Sequence, residues 1–326
     1  MKKEKVLFAG NGFNSLDRNY VSWTELIRLL FKKFGVNDTY ICSYVNKISP
    51  YMQYEILAQA ILEKNGKFDE NDDEKIRQEI AYLTSQSLEC KSVHEVAVKT
   101  YDRIITLNYD SCFEEAALNG NKKFPQSVSK NIYQLKVDLQ DENRIKNCMT
   151  KEVWHPHGAV SEKGQVNSLC MWFQTYIQNV ADIKQKVSLS INEMLEALQK
   201  EEFSEKITSW FQLFFTTDVD VIGTELSYSE LDVWWVLTFR SRLIREGKLK
   251  KGFNKIRYFM LSPYEGETLS EDKISMVSLL MSMDIEIVFI KPEEYFSDKM
   301  LSEFTPRLER SELYNTEWYY LKAMSL

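Results

Sequence analysis

The stretch Val6-Leu7-Phe8-Ala9-Gly10-Asn11-Gly12-Phe13-Asn14, near the start of the chain, decides the fold. The unbroken apolar run from Val6 to Ala9 is typical of a buried strand at the centre of a parallel sheet. Gly10 and Gly12 carry no Cβ, so the backbone can turn sharply there and approach a ligand closely. A strand followed by Gly-x-Gly predicts either a nucleotide-binding loop or an ordinary turn, and this stretch alone does not separate the two.

Composition limits the class of protein. The chain has 326 residues, 44% of them hydrophobic, which predicts one large domain with an insertion or two domains. A net charge of −7 argues against a surface that binds nucleic acid or membranes throughout. We expect no secretory signal and no membrane span, because every apolar run is too short. Five cysteines without Cys-x-x-Cys spacing predict a reduced, cytoplasmic protein with neither disulfides nor bound metal.

Strands and helices are predicted to alternate along the chain. After the first strand, the strands expected from apolar runs are 103–107, 152–155, 218–223, 255–261 and 285–290, with a further candidate at 167–172. The polar segment 121–150 is expected to be a loop with one strand. This alternation predicts an α/β fold, a Rossmann-like doubly wound parallel sheet.

Two helical insertions are expected within this α/β domain, which we place at residues 1–292. The first covers about 22–100, with helix starts predicted at Ser22 and Ser49 and a solvated acidic loop at 69–74. The second insertion covers about 173–215. Residues 293–326 form an aromatic-rich tail that we expect to pack on the body or against another subunit.

Polar or glycine-rich segments follow four of the predicted strands. They are Gly10–Asn14, Asn108–Asp110, His157-Gly158 and Gly223–Ser227. Ligands of open α/β sheets bind beyond the carboxyl ends of the strands, so we expect these four segments to converge.

Three of these side chains are candidates for chemistry. His157 has a neutral-range imidazole that suits a general base, although a hydrogen bond within a turn explains it equally well. Asn108 is suited to orient a water or a ribose hydroxyl, or to cap the next helix. Asp110 is expected at the N-cap of that helix, with a catalytic role as the alternative. Alternation does not separate His157 from His155, and His94 is expected to be a core or surface residue of a helix.

The motifs taken together resemble a known family. Gly10–Asn14, Thr106–Asp110, His157-Gly158 and Ile222–Ser227 occur in the order seen in the sirtuin-like (Sir2-type) domains of bacterial anti-phage defence, such as those of Thoeris-type effectors. The resemblance spans roughly residues 5–290. It implies a Rossmann-type fold that binds and hydrolyses NAD⁺.

The resemblance also implies roles for individual residues. Asn108 and His157 would be the catalytic pair, with Asp110 beside them. The residues implied to contact NAD⁺ are Ala9, Gly10, Gly12, Phe13, Asn14, Tyr109, Gly223, Thr224, Glu225 and Ser227. The last motif departs from the family's Gly-Tyr-Ser-x-Ser-Asp, because Glu225 replaces a serine and Tyr228 the aspartate. Since Glu225 would repel a phosphate, either it faces the ribose hydroxyls or the nucleotide sits differently.

Three functions fit this resemblance to different degrees. We favour an NAD⁺ glycohydrolase that releases nicotinamide and ADP-ribose, acting as a regulated NAD-depleting effector in abortive infection. The alternatives are a non-enzymatic sensor of NAD or ADP-ribose and a zinc-free NAD-dependent deacylase, because the cysteine spacing excludes the usual four-cysteine zinc module. A dehydrogenase is disfavoured, because the third glycine of its fingerprint is absent.

Partners are expected because an unregulated NAD⁺ hydrolase would be toxic. We predict a homo-oligomer and a companion defence protein or activator encoded nearby, with neither a membrane nor direct nucleic-acid binding. The basic run between Arg240 and Arg257 is predicted to be a solvated helix end, with a docking site for an acidic partner or nucleic acid as the alternative.

Overall fold

The computed structural model describes residues 4–16, 20–36, 48–85, 92–118, 120, 132–139, 148–160, 169–199, 207–262, 268–290 and 324. The strands are β1 Lys5–Ala9, β2 Arg103–Thr106, β3 Lys136–Asp138, β4 Glu152–Trp154, β5 Asp218–Ile222, β6 Ile256–Leu261 and β7 Glu286–Ile290. The described α-helices are α1 Trp23–Lys33, α2 Pro50–Asn65, α3 Glu70–Ser85, α4 Ser92–Thr100, α5 Cys112–Ala117, α6 Phe173–Gln199, α7 Trp210–Thr216, α8 Leu231–Arg245 and α9 Glu271–Ser282. Short 3-10 helices cover Asn11–Leu16 and Ile132–Gln134.

The seven described strands form one sheet in the order β3-β4-β2-β1-β5-β6-β7. β1 is central and pairs in parallel with β2 on one side and β5 on the other. β4, β6 and β7 extend the parallel sheet, while β3 pairs antiparallel with β4 at the edge. The predicted α/β fold with a Rossmann-like sheet is therefore confirmed, and the antiparallel edge strand β3 lies in the segment 121–150, where one strand was expected. The candidate strand at 167–172 is wrong over its described part, because the Cys170 N–H donates to the His157 carbonyl in a loop.

Helices cover both faces of the sheet. On one face, α6, α7 and α8 pack against β1 and β5, with Trp210 and Phe214 buried beside Phe8. On the other face, α4 packs against β1 and β2 through Val93 and Ala97. Burial on both faces explains why β1 is apolar throughout rather than alternating.

The helices α1, α2 and α3 form a separate apolar layer beside the loops that follow β2 and β4. Leu26, Leu57 and Ile80 from these helices pack with Tyr109 and Val160 from the two loops. The segment between β1 and β2 therefore divides into a layer beside the loops, made by α1–α3, and a sheet-covering helix, α4.

Local capping chemistry fixes the helix starts. The Ser22 Oγ accepts the Glu25 N–H, and the Ser49 Oγ accepts the Met52 N–H, as the sequence predicted for α1 and α2. The predicted acidic loop at 69–74 is wrong, because α3 begins inside it. Asp69 Oδ1 accepts the N–H groups of the next helical turn, where acidic side chains are favourable.

Some predictions fall outside the described residues, among them those on Cys42, Cys90 and nearly all of the tail. The tail residue that is described, Met324, is buried in the same apolar cluster as Ile290. Among the described helices, none combines the length and apolar character that crossing a membrane requires.

Candidate active site

A small cleft lies where β1 and β2 end. Its walls come from the loops after both strands and from the α1 and α3 region, and the lining residues are Asn11, Asn14, Val21, Trp23, Leu26, Leu83, Thr84, Asn108, Tyr109 and Asp110. Two of the four predicted segments, Gly10–Asn14 and Asn108–Asp110, therefore meet in this cleft.

Asn14 and Asp110 join the loops that follow β1 and β2. The Asn14 Nδ2 donates to Asp110 Oδ2 at 2.6 Å and to Asn11 Oδ1 at 3.2 Å. The other carboxylate oxygen of Asp110 accepts the Cys112 N–H at the start of α5. The prediction that Asp110 is the N-cap of this helix is wrong, because that position belongs to Ser111, although the Asp110 side chain does accept the first N–H of the helix.

Asn108 is buried at the end of β2 and faces the β1 loop. Its Nδ2 donates to the Gly10 carbonyl at 3.4 Å, and its N–H donates to Thr106 Oγ1 at 3.1 Å. The alternative in which Asn108 caps α5 is wrong, because Asp110 supplies that bond.

Two residues that line the cleft have buried amide oxygens without a hydrogen-bond partner among the described residues. They are Asn14 Oδ1 and Asn108 Oδ1. Leaving a buried acceptor unsatisfied costs about 1–3 kcal/mol, so such atoms are suited to receive donors from a ligand.

Gly10 is required by protein packing. A Cβ on Gly10 would lie 2.4 Å from both the Gly223 carbonyl oxygen and the Thr224 Cβ. The Gly12 N–H donates to the same Gly223 carbonyl at 2.9 Å. The close approach seen in the structure is therefore between the β1 and β5 loops, whereas the sequence led us to expect a close approach to a ligand.

The other residues implied to contact NAD⁺ lie around this junction. The side chains of Ala9 and Phe13 are buried in the core, so these residues can offer a ligand only their backbone. The Thr224 carbonyl accepts the hydroxyl of a β6 tyrosine. Glu225 and Ser227 are exposed in the loop before α8. Apart from Asn14, Tyr109 is the residue of this set that lines the cleft.

His157 lies in a second buried group, beside the start of α8. Its Nε2 is 3.1 Å from Asp232 Oδ2 and 3.5 Å from Glu230 Oε2. Its Nδ1 is 3.5 Å from the Tyr51 hydroxyl. The rings of Tyr51 and Tyr176 stack on each other, and both meet the imidazole edge-on. We call these five residues the His157 cluster.

Burial and mutual charge shift the pKa values of the residues in the His157 cluster. Burial by itself would lower the pKa of His157, but the charges of Asp232 and Glu230 outweigh it and raise that pKa to about 9. Burial raises the pKa of Glu230 to about 7. Burial also opposes ionisation of Asp232, yet the His157 charge and three hydrogen bonds bring its pKa below the ordinary value. At neutral pH the cluster therefore holds an ionised Asp232 and a protonated His157.

Tyr109 connects the cleft with the His157 cluster. It lines the cleft, its hydroxyl donates to the Cys170 carbonyl at 3.4 Å, and the Cys170 N–H donates to the His157 carbonyl at 2.9 Å. His157 is not among the cleft's lining residues. The structure thus places Asn108 and His157 in two buried groups that share Tyr109 as a link.

Sequence reasoning missed most of the His157 cluster. Glu230 stands at the N-cap and Asp232 in the first turn of α8, where carboxylates are common for electrostatic reasons alone. Tyr51 and Tyr176 have the spacing of ordinary core residues. The clearest signal in the sequence was a pair of carboxylates shortly after the last glycine motif.

The ligand atoms of His157, Glu230 and Asp232 lie within 4.8 Å of one another, an arrangement able to hold a metal ion.

His155 has a different environment from its neighbour. Its Nε2 is 2.7 Å from Glu114 Oε1, and its Nδ1 is 3.3 Å from the Asn108 carbonyl. Burial would lower the pKa of His155, but Glu114 and the Asn108 carbonyl raise it above the ordinary value. This fully buried pair holds the backbone of Asn108. His94 is also buried, as one of the two sequence alternatives predicted.

The fold and the site define a class of protein: a Rossmann-like α/β protein with polar groups at the carboxyl ends of its central strands. Residues 102–235 match the SIR2-like domain family. The matched region carries Asn108, Asp110, His157 and Asp232, while β1 and its loop lie before it. The match supports a relationship to the Sir2-type family and an NAD-related enzymatic function. No curated protein matches the chain.

Proposed function

We propose that the protein is an NAD⁺ hydrolase that cleaves the bond between nicotinamide and ribose and releases nicotinamide and ADP-ribose. The observation that carries this proposal is the pair of buried amide oxygens, Asn14 Oδ1 and Asn108 Oδ1, which lack partners among the described residues. They lie where ligands bind in open α/β sheets. Ribose hydroxyls and a carboxamide are donors that would satisfy both oxygens.

The chemistry requires orientation more than a strong nucleophile. Nicotinamide leaves as a neutral group while positive charge develops on the ribose, so a fixed and desolvated site lowers the barrier. Asn108 would orient the ribose or the attacking water. Asp110 would keep Asn14 in place through their hydrogen bond. In its neutral form, which a pKa of about 9 makes the minor form at pH 7, His157 would accept a proton from the water or a ribose hydroxyl.

The first experiment is nicotinamide release from NAD⁺ by the pure protein, followed by chromatography. We expect Asn108→Ala and His157→Ala each to reduce release by about 10²-fold or more. Asn71→Ala is the matched control, because Asn71 is exposed in the first turn of α3. Thermal unfolding of each variant separates loss of activity from loss of fold.

Two results would contradict the proposal. Wild-type rates in both variants would remove Asn108 and His157 from the chemistry. Tight binding of ADP-ribose without nicotinamide release, with and without proteins co-expressed from neighbouring genes, would favour the sensor.

In the cell, we propose an NAD-depleting effector of anti-phage defence that is held inactive until infection, through self-association or a companion protein. The support is the order of the four motifs and the toxicity of uncontrolled NAD⁺ cleavage. Phage challenge of cells carrying the wild type or His157→Ala tests this proposal. We expect NAD⁺ to fall and phage yield to drop only with the wild type, and unchanged NAD⁺ in both would contradict it.

A further inference from the structure

We propose that Asp232 is a positioning residue for His157, holding the neutral imidazole in the tautomer that keeps the proton on Nε2 and leaves Nδ1 to accept one. The inference rests on the proposed function and names a residue for which neither the sequence motifs nor the family match provides a role.

Asp232 is fixed from several sides. Its side chain is fully buried, and Oδ2 lies 3.1 Å from His157 Nε2. Its other oxygen, Oδ1, accepts the Tyr176 hydroxyl at 2.8 Å and the Val233 N–H at 2.9 Å. The Asp232 N–H in turn donates to the Tyr176 oxygen at 3.2 Å. The carboxylate therefore cannot rotate away from the imidazole without breaking these bonds.

This bonding determines which nitrogen carries the proton. An ionised carboxylate only accepts hydrogen bonds, so the His157 atom that faces Asp232 must donate. The proton consequently stays on Nε2 when the ring becomes neutral. The opposite nitrogen, Nδ1, faces the Tyr51 hydroxyl at 3.5 Å, which is too long for a strong hydrogen bond. Burial raises the pKa of Tyr51 well above its ordinary value, so this hydroxyl stays neutral and Nδ1 is the nitrogen that is left to accept a proton.

Glu230 provides a natural comparison, because it is a second carboxylate near the same nitrogen. Its Oε2 is 3.5 Å from Nε2 and has no hydrogen-bond partner among the described residues. It is also partly exposed, at the position just before α8. Glu230 therefore adds negative charge near His157 without fixing the ring.

The titratable groups around His157 come from four elements. They are Asp232 at the start of α8 with Glu230 just before it, Tyr51 of α2, Tyr176 of α6 and Cys170 of the loop before α6. Of these, the two carboxylates are the anions. Asp232→Asn and Glu230→Gln each remove one carboxylate with little change of shape, and they form a matched pair.

The test measures His157 directly and then measures activity. Imidazole ¹⁵N NMR of the full chain is recorded across pH, with the His157 signals assigned by their loss in His157→Gln. We expect the Nε2–H tautomer in the wild type at high pH. In Asp232→Asn, the His157 pKa should fall toward 6.5 and the Nδ1–H tautomer should gain population. Glu230→Gln should lower that pKa less and leave the tautomer unchanged.

The second measurement is the rate of nicotinamide release. At pH values above the acid limb, where His157 is neutral in both proteins, Asp232→Asn should slow nicotinamide release by about 10²-fold. It should also move the acid limb of the pH profile to lower pH, because the protonated imidazole loses its partner. Glu230→Gln should lose less activity. A purely structural role of Asp232 would lower the rate without moving this limb.

Several outcomes would overturn the proposal. One is an unchanged His157 titration and tautomer in Asp232→Asn, and another is equal effects of both variants. Loss of wild-type activity in EDTA, restored by Zn²⁺ or Mn²⁺, would make the cluster a metal site instead. A wild type with the expected NMR titration but no nicotinamide release would contradict the proposed function and leave the tautomer assignment standing.

Discussion

Asn14 and Asp110 are 96 positions apart in the sequence, yet their side chains are joined by a hydrogen bond of 2.6 Å between Nδ2 and Oδ2. This bond ties the loop after β1 to the loop after β2 and forms part of the cleft that we assign to NAD⁺. The same bond orients the amide of Asn14, whose oxygen has no hydrogen-bond partner among the described residues.

Asn14→Asp replaces this bond with two facing carboxylates. We expect the free energy of unfolding to fall at pH 7 and to recover partly as the pH is lowered, because protonating one carboxyl restores a hydrogen bond. Urea unfolding at several pH values measures this effect. Asn14→Ala is the control: it should cost about 1–3 kcal/mol without the recovery at low pH. If the free energy of unfolding depended on pH in the same way in both variants, the hydrogen bond between Asn14 and Asp110 would be contradicted.

Gly10→Ala tests the contact between the β1 and β5 loops. The added Cβ would lie 2.4 Å from the Gly223 oxygen, so one of the loops must move. We expect a loss of about 1–3 kcal/mol, as for other overpacked sites, together with weaker NAD⁺ binding. Gly66→Ala is the comparison, because it strains a left-handed position after α2 but meets nothing within 4 Å. It should lower stability without changing the affinity for NAD⁺, and weaker NAD⁺ binding in both variants would argue against a local effect.

The stability of the protein should depend on pH through His157. Its pKa is raised from 6.5 to about 9 on folding, so its contribution is fully present below pH 6.5 and is lost as the pH rises through 9. The loss would amount to about 3 kcal/mol at most. The raised pKa of Glu230 acts in the same direction, between its ordinary 4.5 and about 7.

The measurement is the free energy of unfolding between pH 6 and 10 for the wild type and His157→Gln. We expect the variant to be less stable overall, because Asp232 loses its partner, but to show a flatter dependence on pH. Curves of identical slope would show that His157 is not the titrating group.

The basic run from Arg240 to Arg257 contains two kinds of residue. Arg240 is buried and donates to the side chain and carbonyl of Asn254, whereas Lys248 and Lys251 are exposed and lie near carboxylates. We expect Arg240→Met to destabilise the fold by about 1–3 kcal/mol, because it leaves the buried acceptors of Asn254 unpaired. Reversing the charge of Lys248 and Lys251 should change stability by about 0.5 kcal/mol or less. Comparable losses of stability from Arg240→Met and from the lysine reversals would contradict this division, because the surface lysines would then stabilise the fold as much as the buried arginine does.

Much of the fold could be predicted from the sequence because it follows from local patterns. The apolar run at Val6–Ala9 gave the central strand, and the serines before α1 and α2 gave the helix starts. The acidic run before α3 was misread as a loop because solvation and helix capping favour the same residues. β3 lies in a polar segment, and its partner across the sheet is what makes it a strand.

The candidate site also has a part that could be predicted from the sequence and a part that could not. Asn14, Asn108, Asp110 and His157 were named from their positions at strand ends, where the sheet requires loops to converge. Their partners could not be named. Asp232 reaches His157 from 75 positions away, and such contacts depend on how α8 packs against the loop after β4.

The sequence by itself determined the parallel strands, their burial and the polar groups at their carboxyl ends, because periodicity and capping act over a few residues. Only the tertiary structure decided that Gly10 serves the contact with Gly223, that the Asn108 side chain faces the Gly10 carbonyl, and that His157 is a charged partner of Asp232. The physical reason is that packing density and the loss of water set these relationships. Both arise only when distant segments of the chain come together.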